Sequence, residues 1–343
     1  HWVKKLDGVW GFALWDPQTR ELILCRDSMG VKPLFRTLLP DGTLLFGSEI
    51  KSFYAHPDFQ AKPDINALAV RLAFEYPLDY TTLFSNVTSV AQGTIETWSL
   101  DKEGKAVLTG ITRYNQERIS PEKDWNPNLD AKILLKSLYD GVESRLMSDV
   151  PVGVVLSGGL DSSLIAGLSK QISDSKGLES PDVWTVAGDE NNPDMQAAIS
   201  IAEHYELNHH KKIIDPEKFW HTLPNFIWSG EDLDISVLFW QPLFEEMSKK
   251  VKVGICGQGA DELHAGYSRY KKLDSHAKLI DERLSEFGNF SIDKDFTGLG
   301  QPWINDNISA QNNFKGVNET LQFEIDRGQL SNFQLRLGDR HSM

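Results

Sequence analysis

The run Ser157-Gly158-Gly159-Leu160-Asp161-Ser162-Ser163 holds the residue types and spacing best suited to chemistry in this chain of 343 residues. It comes after a nearly all-apolar segment at 152–156, so strand, glycine turn and helix succeed one another. Adjacent glycines let backbone N–H groups approach an anion with no Cβ in the way, and the next helix N-terminus adds free N–H groups and partial positive charge. Ser157, Ser162 and Ser163 add hydroxyls, and the spacing predicts a phosphate cradle. It is not the Walker type, which sets a lysine on the terminal phosphates. A carboxylate in that place repels a polyphosphate unless a divalent cation lies between, so Asp161 reads as a Mg²⁺ ligand. The plainer alternative is a strand-to-helix turn with serine caps.

A second glycine turn comes after another apolar segment, Ile255-Cys256-Gly257-Gln258-Gly259-Ala260-Asp261-Glu262. Gly257 and Gly259 would let the backbone approach a nucleotide, and Asp261 could supply a second carboxylate for Mg²⁺. Acids at a helix N-terminus also occur for dipole reasons alone, and that reading stands beside the first.

The elements that must position these turns alternate. Helical spacing at 130–147, an apolar strand at 152–156, a helix at 161–171, a strand at 183–186 and a helix at 194–206 are succeeded by an edge strand at 209–214, helices at 216–228 and 237–250, and a buried strand at 251–256. Such alternation predicts a parallel sheet with helices on both faces and its ligands beyond the carboxyl ends of the strands. The first third reads differently: short strands at 10–15, 21–25, 43–46, 93–100 and 106–108 are separated by turn chemistry at Asp16-Pro17, Pro40-Asp41-Gly42 and 101–105. Residues 119–129, polar with two prolines, are expected to link a β-rich domain, 1–118, to an α/β domain, 130–343. The stretch 284–311, rich in Gly, Asn and Asp, reads as loop.

Composition excludes several classes of function. With 35 Lys and Arg against 49 Asp and Glu, the formal charge is -14, and no clustered basic face is present for a nucleic acid. No apolar run approaches the roughly 18 residues of a membrane span. Two cysteines, Cys25 and Cys256, allow neither a disulfide framework nor a CxxC metal site, which suits a cytoplasmic protein. The scattered histidines, His209-His210 among them, are expected in surface or core roles rather than on a metal. The first residue is His rather than Met and Ser342-Met343 carries no helix stop signal, so both ends read as those of a fragment.

With Met147-Ser148-Asp149-Val150-Pro151-Val152-Gly153 before the first glycine turn and the segment from Gly257 to Tyr267 downstream, the chain resembles the glutamine-hydrolysing asparagine synthetases. The resemblance extends to the first third, where 6–16, 26–34 (Arg26-Asp27-Ser28-Met29-Gly30-Val31-Lys32-Pro33-Leu34) and Gly47-Ser48-Glu49-Ile50-Lys51 are similar to the rear half of that family's Ntn-type glutaminase domain. It implies a PP-loop ATP pyrophosphatase-type α/β domain, C-terminally incomplete, behind that β-rich half. It implies a ligase: aspartate is adenylylated by MgATP, pyrophosphate leaves, and ammonia, drawn from glutamine in the full-length enzyme, attacks the β-aspartyl-AMP. By matching position, Leu156, Val186, Cys256 and Gly257 would contact adenosine, and residues 157–163, Leu160 included, would hold pyrophosphate. Asp161 and Asp261 would hold Mg²⁺. Asp194, where the family has an acid just before a helix, would orient the loop or substrate, with a solvated helix N-cap as the equal alternative. A homodimer is allowed for.

Two departures matter. Gln258 stands where the family often has a glutamate important for forming the intermediate, and an amide cannot titrate. The family's nucleophile is an N-terminal cysteine, and neither Cys25 nor Cys256 is in that place; the segment with the family's synthetase lysine would lie past Met343. This chain is therefore expected not to hydrolyse glutamine by itself. The alternatives are β-lactam synthetase-like intramolecular amide formation and a non-catalytic ATP-binding relative.

Overall fold

The structure, a computed structural model, describes residues 2–115, 126–232, 237–288 and 309–342. The chain forms two compact units, one of His1–Glu117, Gly230–Asp232 and Gly259–Arg340, the other of Arg118–Ser229, Leu233–Gln258 and His341–Met343.

The first unit begins with β1 (Gly11–Asp16), β2 (Glu21–Arg26), β3 (Phe35–Leu38), β4 (Leu44–Gly47), helix α1 (Ile65–Phe74), β5 (Thr88–Ser89), β6 (Thr94–Leu100) and β7 (Ala106–Arg113). Aspartate side chains close its hairpins: the Gln18 N–H donates to Asp16 Oδ1 at 2.8 Å, and Asp101 Oδ1 accepts from Glu103 N at 2.8 Å and Lys105 N at 2.9 Å. An antiparallel sheet in the order β1-β2-β6-β7 results, with a second sheet in the order β4-β3-β5. The period-2 alternation sends Leu24 and Trp98 into a core with Leu34 and Val90, and Cys25 and Ile95 into another with Val3 and Tyr114. Burial pushes the Cys25 thiol up from its ordinary pKa, so it sits there as a small apolar group.

The segment from Arg26 to Lys32 supports itself. The guanidinium of Arg26, fully buried, donates to the carbonyls of Lys32 at 2.8 Å, Val90 at 2.9 Å and Gly30 at 2.6 Å. Asp27 accepts from the N–H groups of Met29, Val31 and Lys32 at 2.9 to 3.1 Å. Both charged side chains thereby serve backbone groups that would otherwise be buried without a partner.

The second unit holds α2 (Pro127–Leu146), β8 (Val152–Val155), α3 (Leu160–Lys176), β9 (Val183–Ala187), α4 (Pro193–His204), β10 (His209–Ile213), α5 (Pro216–Gly230), α6 (Val237–Met247) and β11 (Val253–Ile255). Its sheet runs β10-β9-β8-β11 with every pairing parallel. Helices cover both faces, as the alternation predicts: Val154 and Val183 pack with Ala166 of α3 and Ala198 and Ala202 of α4, while Val155 and Trp184 pack with Leu243 and Met247 of α6.

Beyond β11 the chain rejoins the first unit as α7 (Ala260–His264), α8 (Leu273–Gly288), α9 (Ala310–Asn313), α10 (Val317–Arg327), a π-helical turn (Gln329–Gln334) and α11 (Leu335–Ser342). Val70, Ala73 and Phe74 of α1 share a core with Ala277, Ile280 and Leu284 of α8 and with Phe314 and Phe323. Asp232, 7% exposed, accepts from Arg71 at 3.3 Å and Arg336 at 2.5 Å within the same unit. Neighbouring Glu231 takes the N–H groups of Ile50 at 2.8 Å and Lys51 at 2.6 Å.

Two sequence-based expectations change. The loop expected from 284 is helical as far as Gly288, because Leu284 faces α1 and the apolar spacing behind it continues α8. Residues 127–129, expected as linker, form the first turn of α2, whose N-cap Asn126 accepts from Asn128 N at 3.1 Å. Residues 310 and 311, also expected as loop, begin α9, and 119–125 and 289–308 lie outside the described residues.

Candidate functional site

Three parallel strands of the second unit end together, and the turns at their carboxyl ends carry the predicted site. β8 runs through Leu156 into the glycine turn, β9 ends beyond Val186, and β11 runs into Cys256 and Gly257. Leu156 is fully buried: its N–H donates to the Trp184 carbonyl at 2.8 Å and its carbonyl accepts from Thr185 Oγ1 at 2.6 Å. It anchors the turn and has no surface of its own, whereas Val186 is half-buried and Cys256 is exposed.

Thr185 Oγ1 also lies 2.8 Å from His209 Nε2. Since the threonine proton is given to Leu156, the imidazole must be the donor, which fixes the Nε2–H tautomer. Burial, then the nearby Lys211 and His210 charges, lowers the His209 pKa from 6.5 to about 4, so the ring is neutral at physiological pH.

The glycine turn is stitched by its serines. Ser162 Oγ donates to the Gly159 carbonyl at 3.2 Å and accepts from Ser157 N at 3.1 Å. Ser157 Oγ lies 2.9 Å from Ser162 Oγ and accepts from Gly159 N at 3.4 Å, so the Ser157 proton goes to Ser162. Both hydroxyls therefore brace the turn. The groups left for an anion are the N–H groups of the first turn of α3, which have no intrahelical partner, and whose N-cap, Gly159, offers no side-chain bond. Ser163 Oγ is buried with no hydrogen-bond partner.

Two glycines set how closely the backbones meet. Gly158 has φ +78, and a Cβ there would lie 2.6 Å from Ala198 N and 2.8 Å from the Asp194 carbonyl, so only glycine lets the turn pass the N-terminus of α4. A Cβ on Gly257 would lie 2.9 Å from Ser162 N and 3.0 Å from Asp161 Cβ. The two glycine segments, about a hundred residues apart in sequence, thus meet backbone to backbone at the start of α3.

Asp161 occupies that first turn half-buried, and its carboxylate has no hydrogen-bond or ion-pair partner among the described residues. Asp261, in the first turn of α7, is likewise half-buried and without a partner among them, and it belongs to the first unit. Unpaired carboxylates are the donor type Mg²⁺ takes, one or two at a time, with substrate phosphates supplying further oxygens. Asp194 is exposed in the first turn of α4; the cap itself is Asn192, which accepts from Asp194 N at 2.9 Å and Met195 N at 3.3 Å. Leu160 is 83% exposed at the lip of the turn, and Gln258 is half-buried at the end of the second unit.

Sequence reasoning missed Thr185, whose signal is only a polar residue in the otherwise apolar β9, and its bond to His209, which was expected in a surface or core role. It also missed the pair Glu262 and Tyr267 just beyond Asp261, five residues apart.

A parallel sheet flanked by helices, with glycine turns at its carboxyl ends and an acid in place of the Walker lysine, defines a PP-loop-type α/β fold. Residues 134–332 match the asparagine synthase family, and residues 1–109 match the glutamine amidotransferase domain. The chain belongs to the asparagine synthase family. It is 29% identical over 274 residues to glutamine-hydrolysing asparagine synthetase 1 of Bacillus subtilis, covering 79% of this chain and 41% of that one. It is 30% identical over 295 residues to the glutamine-hydrolysing asparagine synthetase of Pongo abelii, covering 81% and 49%, and 30% identical over 294 residues to that of Gallus gallus, with the same coverage. The chain spans less than half the length of these relatives. No helix among the described residues is long and apolar enough to cross a membrane.

Proposed function

We propose that this chain carries the nucleotide-activating part of a glutamine-dependent asparagine synthetase, a ligase that uses ATP to activate aspartate. The observation that carries this reading is the meeting of the 157–163 turn with Gly257 at the start of α3, where free N–H groups and an unpaired carboxylate face the same end of the sheet.

The β-carboxylate of aspartate attacks the α-phosphorus of ATP, the bond to the β-phosphate breaks, and pyrophosphate leaves. Ammonia then attacks the acyl carbon of the β-aspartyl-AMP, AMP departs with the C–O electron pair, and the extra proton on nitrogen passes to solvent. A carboxylate is a poor electrophile, and adenylylation supplies its leaving group. The N–H groups of residues 160–162 receive the pyrophosphate, where charge grows as the bond breaks. The adenosine lies along Val186, Cys256 and Gly257, with Leu156 behind them. Asp161, and Asp261 with it, would hold a Mg²⁺ ion, which would supply positive charge against the phosphates. Asp194 keeps the approach of α4 to Gly158 in register, and Gln258, as an amide, supplies hydrogen bonds to the intermediate and no proton. The amidotransferase half delivers ammonia from glutamine in the complete protein.

The test is incubation of the full-length protein with aspartate, MgATP and ammonia. Asparagine and pyrophosphate are expected in equal amounts, and the Asp161→Ala variant should lose at least about a hundredfold in rate, the scale of removing a group that stabilises transition-state charge. Pyrophosphate release without asparagine would move the reading to another amide-forming relative, and ATP binding without aspartate-dependent release to a non-catalytic one.

A further inference from the structure

The segment after the second glycine turn contains an arrangement that the activation chemistry does not use. Glu262 sits beside Asp261 in α7, yet its side chain turns inward and is 1% exposed. Burying a carboxylate costs several kcal/mol unless it is hydrogen-bonded, and no cation pairs with it among the described residues. Two neutral donors serve it instead: the Tyr267 hydroxyl, at 2.5 Å, and Gln329 Nε2, at 3.2 Å, both on Oε1. Tyr267 in turn accepts from Gln334 Nε2 at 3.0 Å, so the phenol's proton is committed to Glu262 and its lone pair to Gln334.

Both glutamines come from one place, the π-helical turn Gln329–Gln334. In an α-helix residues five apart diverge; the wider π turn lets Gln329 and Gln334 reach the same pair. Arg269 donates to Gln329 and lies 4.2 Å over the Tyr267 ring, its own charge paired with Glu324 at 3.1 Å. All of these groups belong to the first unit. Their common effect is mechanical. α7 is five residues long and has no side-chain N-cap, so it cannot hold its own orientation. A buried side chain at 262, gripped from two sides, fixes the turn whose neighbouring residue, Asp261, presents an unpaired carboxylate.

We propose that Tyr267, through Glu262 and with Gln334 and Gln329 behind it, is a positioning residue that holds Asp261 in the attitude needed to ligate the Mg²⁺ of a bound nucleotide. This rests on the reading of Asp261 as a metal ligand. It predicts that the metal-dependent part of nucleotide affinity is sensitive to a hydroxyl that touches neither metal nor nucleotide.

The experiment measures ATP binding to the full-length protein by calorimetry, with Mg²⁺ and with EDTA, for the wild type and Tyr267→Phe. The expected result is an affinity for MgATP about tenfold weaker, the effect of one charge-assisted hydrogen bond, with metal-free ATP binding unchanged and the unfolding midpoint lowered, since the buried carboxylate keeps only Gln329 as donor. Glu262→Gln, which keeps an acceptor for the phenol, should stay within about threefold of wild type. Gln334→Met gives a second probe that leaves the Tyr267–Glu262 bond in place, with an expected loss of about threefold. Tyr267→Phe with unchanged Mg²⁺ dependence, or with metal-free and MgATP binding weakened alike, overturns the proposal. If the wild type binds MgATP but releases no pyrophosphate with aspartate, the functional reading falls and the binding comparison still decides the role of Tyr267.

Discussion

His209 is where the chemistry of the site is most finely tuned at the scale of single residues. Its ring gives its proton to Thr185, which gives its own to the carbonyl of Leu156, the residue from which the glycine turn springs. The folded pKa of about 4 lies below the ordinary 6.5, so the unfolded chain binds the extra proton first as pH falls. The stability contributed here is complete above about pH 6.5 and is lost progressively toward pH 4. His209→Gln keeps an N–H donor for Thr185 and cannot titrate. We expect its urea midpoint to fall less than that of the wild type between about pH 7 and pH 5; an equal fall in both proteins would place the pH dependence elsewhere.

The glycine turn was legible in the sequence because its residues act locally: two glycines, three serines and an acid between an apolar strand and a helix say what the backbone must do. Which serine proton goes where was not legible. Ser157 and Ser162 close on each other across five residues, and only the folded turn assigns their hydroxyls to bracing. The closeness of Gly257 to Asp161 is likewise a product of strands β8 and β11 pairing in parallel, a contact between segments about a hundred residues apart.

At the scale of elements, strands and helices with their own punctuation were legible: the 101–105 turn, the alternation from 152 onward, the helix behind Asn192. α1 and β3 were not, although Asp64 caps α1 by accepting from Ala67 N at 2.9 Å. The apolar run of α1 lacks polar spacing because α8 and Phe314 and Phe323 cover it, and those partners come from beyond residue 270. The same remoteness hid the ionic cluster at Asp232. Removing this buried carboxylate takes away the ionic partner that Arg71 and Arg336 share. Asp232→Ala should destabilise the first unit by about 3–5 kcal/mol, and Asp232→Asn by less, since an acceptor remains. Urea unfolding with a tryptophan signal reads the difference; an Ala variant within about 1 kcal/mol of wild type would show that the cluster contributes little.

At the scale of the whole molecule, the sequence reads as a β-rich part and an α/β part joined near 119–129, whereas the chain's own contacts group residues 259–340 with 1–117. Within that unit α8, Phe314 and Phe323 pack on α1. Hydrogen exchange should register this: amides of 65–74 and 273–286 are expected to lose protection together under mild denaturant, on a course distinct from 152–155 and 183–187. If 273–286 instead opens with the parallel strands, the division into units is wrong. The acidic balance belongs to this scale too. With a formal charge of -14, the chain as a whole repels a polyanion, so any affinity for one must be local.

We propose that adenylylation of a carboxylate takes place at the 157–163 turn of the complete protein. Exchange of labelled pyrophosphate into ATP by the full-length protein tests it most directly, because that exchange requires the acyl-adenylate to form and reverse. Exchange is expected to appear with aspartate and Mg²⁺, to be absent without aspartate, and to be abolished by Asp161→Ala. Exchange that proceeds equally without aspartate, or none at all from a protein that binds MgATP, would contradict it.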